Sequence, residues 1–170
     1  MEIVDVYNNR GEYLKKTCER GTMEKGEYSR SVHVWILDNE RILMQRRSSE
    51  KKIFPNMWEQ SGGGVVHGEN SLQAVKRETK EELGIDIANE EIKYIGSYIR
   101  VKDIVDVWLI EKDISNEKLE LQTEEVADIK LLSFAEIDDM IIKNEVVPTI
   151  DPSYYMIKNY CNLYKKGKLI

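Results

Sequence analysis

Glu78, Glu81 and Glu82 crowd three carboxylates together directly after Arg77 and just before Gly84. Glu78 and Glu82 are four apart, so on a helix they share one stripe, with Glu81 beside them. Like charges at that spacing weaken a helix by roughly 0.2–0.5 kcal/mol. A hard divalent cation turns the repulsion into ligation, because Mg²⁺ takes oxygen ligands and bridges to substrate phosphates. A solvated acidic face is the plainer reading of such a cluster standing alone. This one does not stand alone: Gly63 is followed after five residues by Glu69, and Glu69 after seven by Arg77.

Two further groups of residues point to the same chemistry. Gln60-Ser61-Gly62-Gly63-Gly64 reads as a glycine loop whose backbone can approach a ligand closely, and whose carbonyls could donate to a cation. Upstream of it, Arg46, Arg47, Lys51 and Lys52 form a basic run. Arginine can hold phosphate oxygens bidentately and lysine adds point charge, so the run reads as a phosphate clamp or as a solvated loop. His33 reads as a strand or core histidine, and His67 as an exposed loop residue. Phe54 and Trp58 read as packing residues that could border a pocket.

These groups need elements to position them. Asn70 suits an N-cap, with Gln73 three residues on as in a capping box, and Gly84 is a C-terminal stop. Between them Leu72, Val75, Thr79 and Leu83 fall on one narrow, mostly apolar stripe. The helix can pack on a sheet by that stripe while its flank presents three carboxylates together. Residues 3–18 read as two short strands around the turn Asn8-Asn9-Arg10-Gly11, followed by a polar connection over 19–29. Residues 31–37 and 41–47 form a hairpin around Asp38-Asn39-Glu40. Residues 92–101 and 104–110 form two strands around Lys102-Asp103, and Glu124 to Leu132 reads as a loop into a strand. Ser133 and Glu136 open a helix to about Lys143. Asp151 as N-cap with Pro152 at the first position starts a last helix, with Tyr155, Met156, Tyr160 and Leu163 on its packing face. Strands, a helix, more strands and then helices give an α/β fold, a mixed sheet covered by helices on both sides.

The stretch Gly63 to Ile85 resembles the Nudix box: Gly, five residues, Glu, seven residues, Arg-Glu-hydrophobic-any-Glu-Glu-any-Gly-hydrophobic. Thr79 is its one soft position. The resemblance implies an α/β/α sandwich, with an N-terminal strand and hairpin extension over 1–29 and a Nudix hydrolase domain, C-terminal helix included, over 30–170. It also implies hydrolysis of the diphosphate bond of a nucleoside diphosphate derivative or a similar small diphosphate, with Mg²⁺ or Mn²⁺. Metals held by carboxylates neutralise phosphate charge and lower the pKa of bound water. Carried over position by position, Glu78 and Glu82 are metal ligands, Glu81 is a third ligand or a base, and the Gly62 carbonyl joins them. Gly63, Glu69, Arg77 and Gly84 are structural. The base in this family often lies on a later loop, where Glu125 or Glu124 is the candidate.

The run from Arg46 to Trp58 is similar to the corresponding stretch of isopentenyl diphosphate isomerases, where an Arg and a Lys matching Arg47 and Lys51 hold the diphosphate. That raises isomerisation as an alternative. The isomerases, however, carry Cys-Gly-His where this chain has Gly62-Gly63-Gly64. A third reading, a Nudix domain that binds a nucleotide without catalysis, is disfavoured because no box carboxylate is lost.

Composition bounds the rest. The chain has 170 residues, 41% hydrophobic and 33% charged, enough for one domain with a sizeable core. A net charge of −6 disfavours nucleic acid as a partner. No apolar run approaches the ~20 residues that span a bilayer, and the N-terminus lacks the pattern of a signal peptide. Cys18 and Cys161 have no metal-site spacing, which suits a reducing cytoplasm. The partner is then a small-molecule diphosphate; oligomeric state stays open, a homodimer included.

Overall fold

The computed structural model describes residues 2–88 and 91–165; Met1 and positions 166–170 of the expected 30–170 domain lie outside them. Its backbone is a mixed sheet built on β3 (Ser29–Asp38), which pairs antiparallel with β4 (Arg41–Arg47) and β6 (Ser61–Gly64) and parallel with β8 (Asp103–Glu111). Strand β5 (Trp58–Glu59) and β9 (Val126–Leu132) pair with β4, and β7 (Ile92–Ile99) pairs with β8. A separate two-stranded sheet, β1 (Ile3–Tyr7) with β2 (Tyr13–Glu19), precedes it.

The period of two along a strand explains the layers. Val32, Val34 and Ile36 of β3 face one core, where Ala74, Val75 and Leu83 of α1 (Ser71–Leu83) pack. Trp35 of β3 and Val105, Val107 and Leu109 of β8 face the other core. There they meet Ile137 of α2 (Phe134–Ile142) and Tyr154 and Ile157 of α3 (Asp151–Lys165). Full burial of such side chains contributes ~1.5–3 kcal/mol each, against about 1 kcal/mol for a helix cap. The two apolar faces therefore hold the helices on the sheet, and the caps set where the helices begin. This is the expected α/β/α sandwich. Among the described residues no helix is long and apolar enough to cross a membrane.

Three local expectations are corrected. The glycine loop is a strand: Ser61 to Gly64 pair with Val34 to Ser31, because β3 supplies a partner that outweighs glycine's weak strand preference. Asp151 is not an N-cap, since its backbone is already helical. A 3₁₀ turn over Pro148–Ile150 leads straight into α3, with Pro148 at its start. The packing face of α3 is also rotated from the expected one. Ser153, Tyr154, Ile157 and Cys161 are buried, Met156 and Tyr160 are half-buried against them, and Tyr155 and Leu163 are exposed.

Candidate active site

Helix α1 starts and stops as its sequence dictates. The Asn70 side chain accepts from the Gln73 amide at 3.0 Å, and the Gln73 side chain accepts from the Asn70 amide at 2.8 Å. Gly84 caps the C-terminus with φ 74°, its N–H donating to the Lys80 carbonyl. Thr79, the soft position, is fully buried, and its hydroxyl donates to the Val75 carbonyl at 2.8 Å. Its polarity is thus satisfied within the helix.

Arg77 is the hub of the segment. Its guanidinium grips Glu69 with two nitrogens, at 2.6 and 3.1 Å, and donates to the Gly64 carbonyl at 2.8 Å. One more nitrogen reaches Glu78 at 2.8 Å and Glu81 at 3.1 Å. Glu69 in turn accepts from the Val66 amide at 2.9 Å. Helix, strand β6 and the connection between them are tied through one side chain, whose pKa is raised chiefly by the hydrogen bonds to Glu69. The structural reading of Glu69 and Arg77 rests on this geometry.

The three carboxylates differ in setting. Glu82 is buried and accepts from the Ser61 hydroxyl at 2.5 Å and the Gly62 amide at 3.1 Å. Burial pushes its pKa up to about 8, and Glu78 adds to the rise. Glu78 is half-buried and its pKa is also raised by burial, which outweighs the opposing pull of Arg77. Glu81 is exposed. All three line one cavity, but among the described residues no three His, Cys, Asp or Glu side chains meet at metal-ligand spacing. Glu82 is drawn to Ser61 and Gly62 of β6, whereas Glu78 and Glu81 share one nitrogen of Arg77.

The glycines of β6 explain the fit between strand and helix. Gly62, at φ 149°, leaves no room for a side chain against the Val32 carbonyl, and a side chain on Gly63 would strike the Glu78 carboxylate. Gly64 is covered in the same way by the Arg20 guanidinium.

All of this faces one cavity of about 810 Å³. Glu78, Glu81, Glu82, Gly62, Gly63 and Arg77 line it, and so do Arg47, Lys51 and Glu125. Arg47 is paired with Glu59 at 2.5 Å, and Lys51 with Glu125. Glu59 is held above the usual carboxylate range by burial despite Arg47. Glu124 is exposed and does not line the cavity. Phe54 borders the cavity, whereas Trp58 is buried in the core beneath Lys130. His67 lies outside the cavity, paired with Asp5 at 2.7 Å.

Several lining residues had no signal in their spacing. Glu2 and Arg20 come from the N-terminal hairpin, Arg30 and His33 from β3, Arg100 and Lys102 from the β7–β8 turn, and Asp103 from the start of β8. His33 is buried, with Nδ1 2.8 Å from the Ser153 hydroxyl, whose own proton goes to the Ile150 carbonyl. Burial lowers its pKa to about 3, so the ring is neutral.

The donor set suits a hard cation. Glu78, Glu81, Glu82 and the Gly62 backbone offer oxygen ligands alone, the preference of Mg²⁺. A buried carboxylate with a raised pKa, as at Glu82, is stabilised as an anion by such a charge.

The family model described as "NUDIX domain" matches residues 27–150. The uncharacterized Nudix hydrolase lin0387 of Listeria innocua is 38% identical over 153 residues, covering 87% of this chain and 89% of that one. The uncharacterized Nudix hydrolase lmo0368 of Listeria monocytogenes is 34% identical over 168 residues, covering 96% and 95%. Among solved structures, DR0079 from Deinococcus radiodurans superposes with a TM-score of 0.75 over 92% of this chain and 98% of that one, at 20% identity.

Proposed function

The chain belongs to the Nudix family of hydrolases acting on phosphoric anhydride bonds, and on that premise we propose that it is a Mg²⁺- or Mn²⁺-dependent enzyme that cleaves the diphosphate bond of a nucleoside diphosphate derivative or similar small diphosphate. The observation that carries the proposal is the shared cavity: the oxygen donors Glu78, Glu81 and Glu82 and the phosphate-binding types Arg47 and Lys51 line one space of about 810 Å³. A cavity of this volume accommodates a small molecule of nucleotide size.

Glu78, Glu82 and the Gly62 carbonyl would hold the cation, with Glu81 as a further ligand. The bound cation supplies charge neutralisation at the phosphates and a lowered pKa for water. Arg47 and Lys51 orient the diphosphate oxygens. Glu125, in ion contact with Lys51, accepts the proton of the attacking water. Arg77 sets the angle of α1 to β6 through Glu69 and Gly64. No cysteine lines the cavity among the described residues, which leaves the isomerase alternative without the thiol its chemistry uses. Cys18 and Cys161 form no disulfide, in keeping with the cytoplasmic location included in this proposal.

The test is a Mg²⁺- and Mn²⁺-supplemented screen of nucleotide sugars, dinucleotides, nucleoside di- and triphosphates and isoprenoid diphosphates. Metal-dependent release of nucleoside monophosphate or phosphate is the expected result. Conversion of isopentenyl diphosphate to its dimethylallyl isomer, or ligand binding without turnover of any compound, would overturn it.

A further inference from the structure

We propose that Arg20, supplied by the N-terminal hairpin ahead of the family-matched segment 27–150, binds substrate phosphate in the cavity, exchanging the Glu2 carboxylate for a phosphate oxygen. The inference rests on the diphosphate reading above for the class of its ligand.

The hairpin is fixed to the box itself. The His67 amide donates to the Ile3 carbonyl at 2.8 Å, and the His67 ring is paired with Asp5. Val4 and Val6 are fully buried, and Tyr7 bridges to Tyr28 just before β3. Arg20 follows β2 directly, and its amide donates to the Glu2 carbonyl at 2.9 Å. The base of the side chain is therefore held in place relative to the box.

From there the guanidinium lies over Gly64, where a side chain would collide with it. Gly64 is not one of the fixed positions of the box pattern, so the approach of Arg20 gives a local reason for glycine there. Arg77 bonds the carbonyl of the same residue, which places Arg20 beside the hub of the carboxylate cluster. Both arginines line the cavity.

The pairing of Arg20 suits exchange. Among the described residues its carboxylate partner is Glu2, at 3.0 Å, with side-chain exposures of 38% and 54%. Pairs that exposed hold weakly. Three other cavity arginines are held by better-buried carboxylates: Arg30 by Asp106, Arg77 by Glu69 and Arg100 by Asp103. Glu2 also stands close enough to Glu78 for their charges to repel. A phosphate that takes Arg20 from Glu2 gains a bidentate partner, and Glu2 can then move away into solvent.

The experiment is calorimetric titration of the full-length protein with imidodiphosphate, a non-hydrolysable diphosphate, in Mg²⁺. Wild type is compared with Arg20→Ala, Arg20→Lys and Glu2→Ala, and far-UV dichroism checks each fold. We expect Arg20→Ala to weaken binding about tenfold, the scale of one charge-assisted hydrogen bond. Arg20→Lys retains part of the affinity. Glu2→Ala tightens binding roughly threefold, because it removes the competitor. A purely structural ion pair predicts instead that Arg20→Ala and Glu2→Ala shift affinity in the same direction or not at all, and either outcome overturns the proposal. So does absence of binding to wild type. Binding that follows the expected order without turnover of any compound would sink the hydrolase reading and leave the role of Arg20 standing.

Discussion

The Lys51 ammonium is in ion contact with the Glu125 carboxylate, joining the loop after β4 to the loop before β9. The backbone repeats the link, with the Ser48 amide donating to the Glu125 carbonyl at 2.8 Å. The residues proposed as phosphate ligand and proton acceptor are thus neighbours before any substrate arrives, and their substitutions should separate by kinetic parameter. Glu125→Gln is expected to lower kcat by about 10²–10⁴, the range for loss of a general base, with little change in KM. Lys51→Ala is expected to act mainly on KM. The double variant should be non-additive by about 0.5–3 kcal/mol in steady-state kinetics, as for residues in contact. Additive effects would mean that the contact is not used in turnover.

Glu82→Gln separates stability from activity. Without metal, the buried carboxylate opposes folding, since burial lifts its pKa to about 8; the amide keeps its shape and can still accept from Ser61. The variant should therefore unfold at a higher temperature than wild type in EDTA. Added Mg²⁺ should raise the Tm of wild type by mass action and leave the variant unmoved, with turnover abolished. Scanning calorimetry with and without Mg²⁺ reads both. Retained turnover would remove Glu82 from the ligand set.

Gly63→Ala should be a functional lesion before it is a structural one. The added methyl would meet the Glu78 carboxylate, which is the end of a flexible side chain and can swing away. Displacing a ligand by about 1 Å costs roughly 10² in rate. Activity should fall by that order with only a small change in Tm, and Mg²⁺ affinity measured by calorimetry should weaken in parallel. An unchanged affinity would place Glu78 outside the metal site.

His33 makes folding stability depend on pH. Its pKa is lowered from 6.5 to about 3 by burial, so between those values the unfolded chain binds a proton that the folded chain does not. Stability from this group is complete above pH 6.5 and declines as pH falls toward 3. The loss amounts to about 2–3 kcal/mol by pH 4.5. Urea unfolding of wild type and His33→Gln between pH 4.5 and 7.5 should give a shallower slope for the variant. Parallel slopes would mean that the imidazole takes up its proton in the folded state.

Local signals made the box helix legible, and long-range pairing hid much of its surroundings. The N-cap Asn70, the capping partner Gln73 and the stop Gly84 all act within a few residues of chain, so their sequence meaning survives folding. Strand β6 did not read as a strand because three glycines carry no strand preference, and its pairing partner β3 lies about thirty residues upstream. Arg47 and Lys51, the proposed clamp, were readable as cations, but not as cations already held by Glu59 and Glu125. Arg20 and Glu2 carried no signal at all, since only the folded hairpin brings them to Gly64. The exposed Tyr155 and Leu163 were misread because Tyr154, Ile157 and Cys161 offer a second stripe at helical spacing, and packing on the sheet decides between the two.

The fastening of Ile3 and Asp5 to His67 has a practical consequence for handling the protein. Glu2 itself lines the cavity with Arg20 and Gly64, so a segment fused ahead of it would be tethered near the proposed site. A polyhistidine tag there would bring its own metal-binding imidazoles close to the carboxylates proposed to hold the cation. Purification handles therefore belong at the other end of the chain, or must be cleaved away before any metal titration is interpreted.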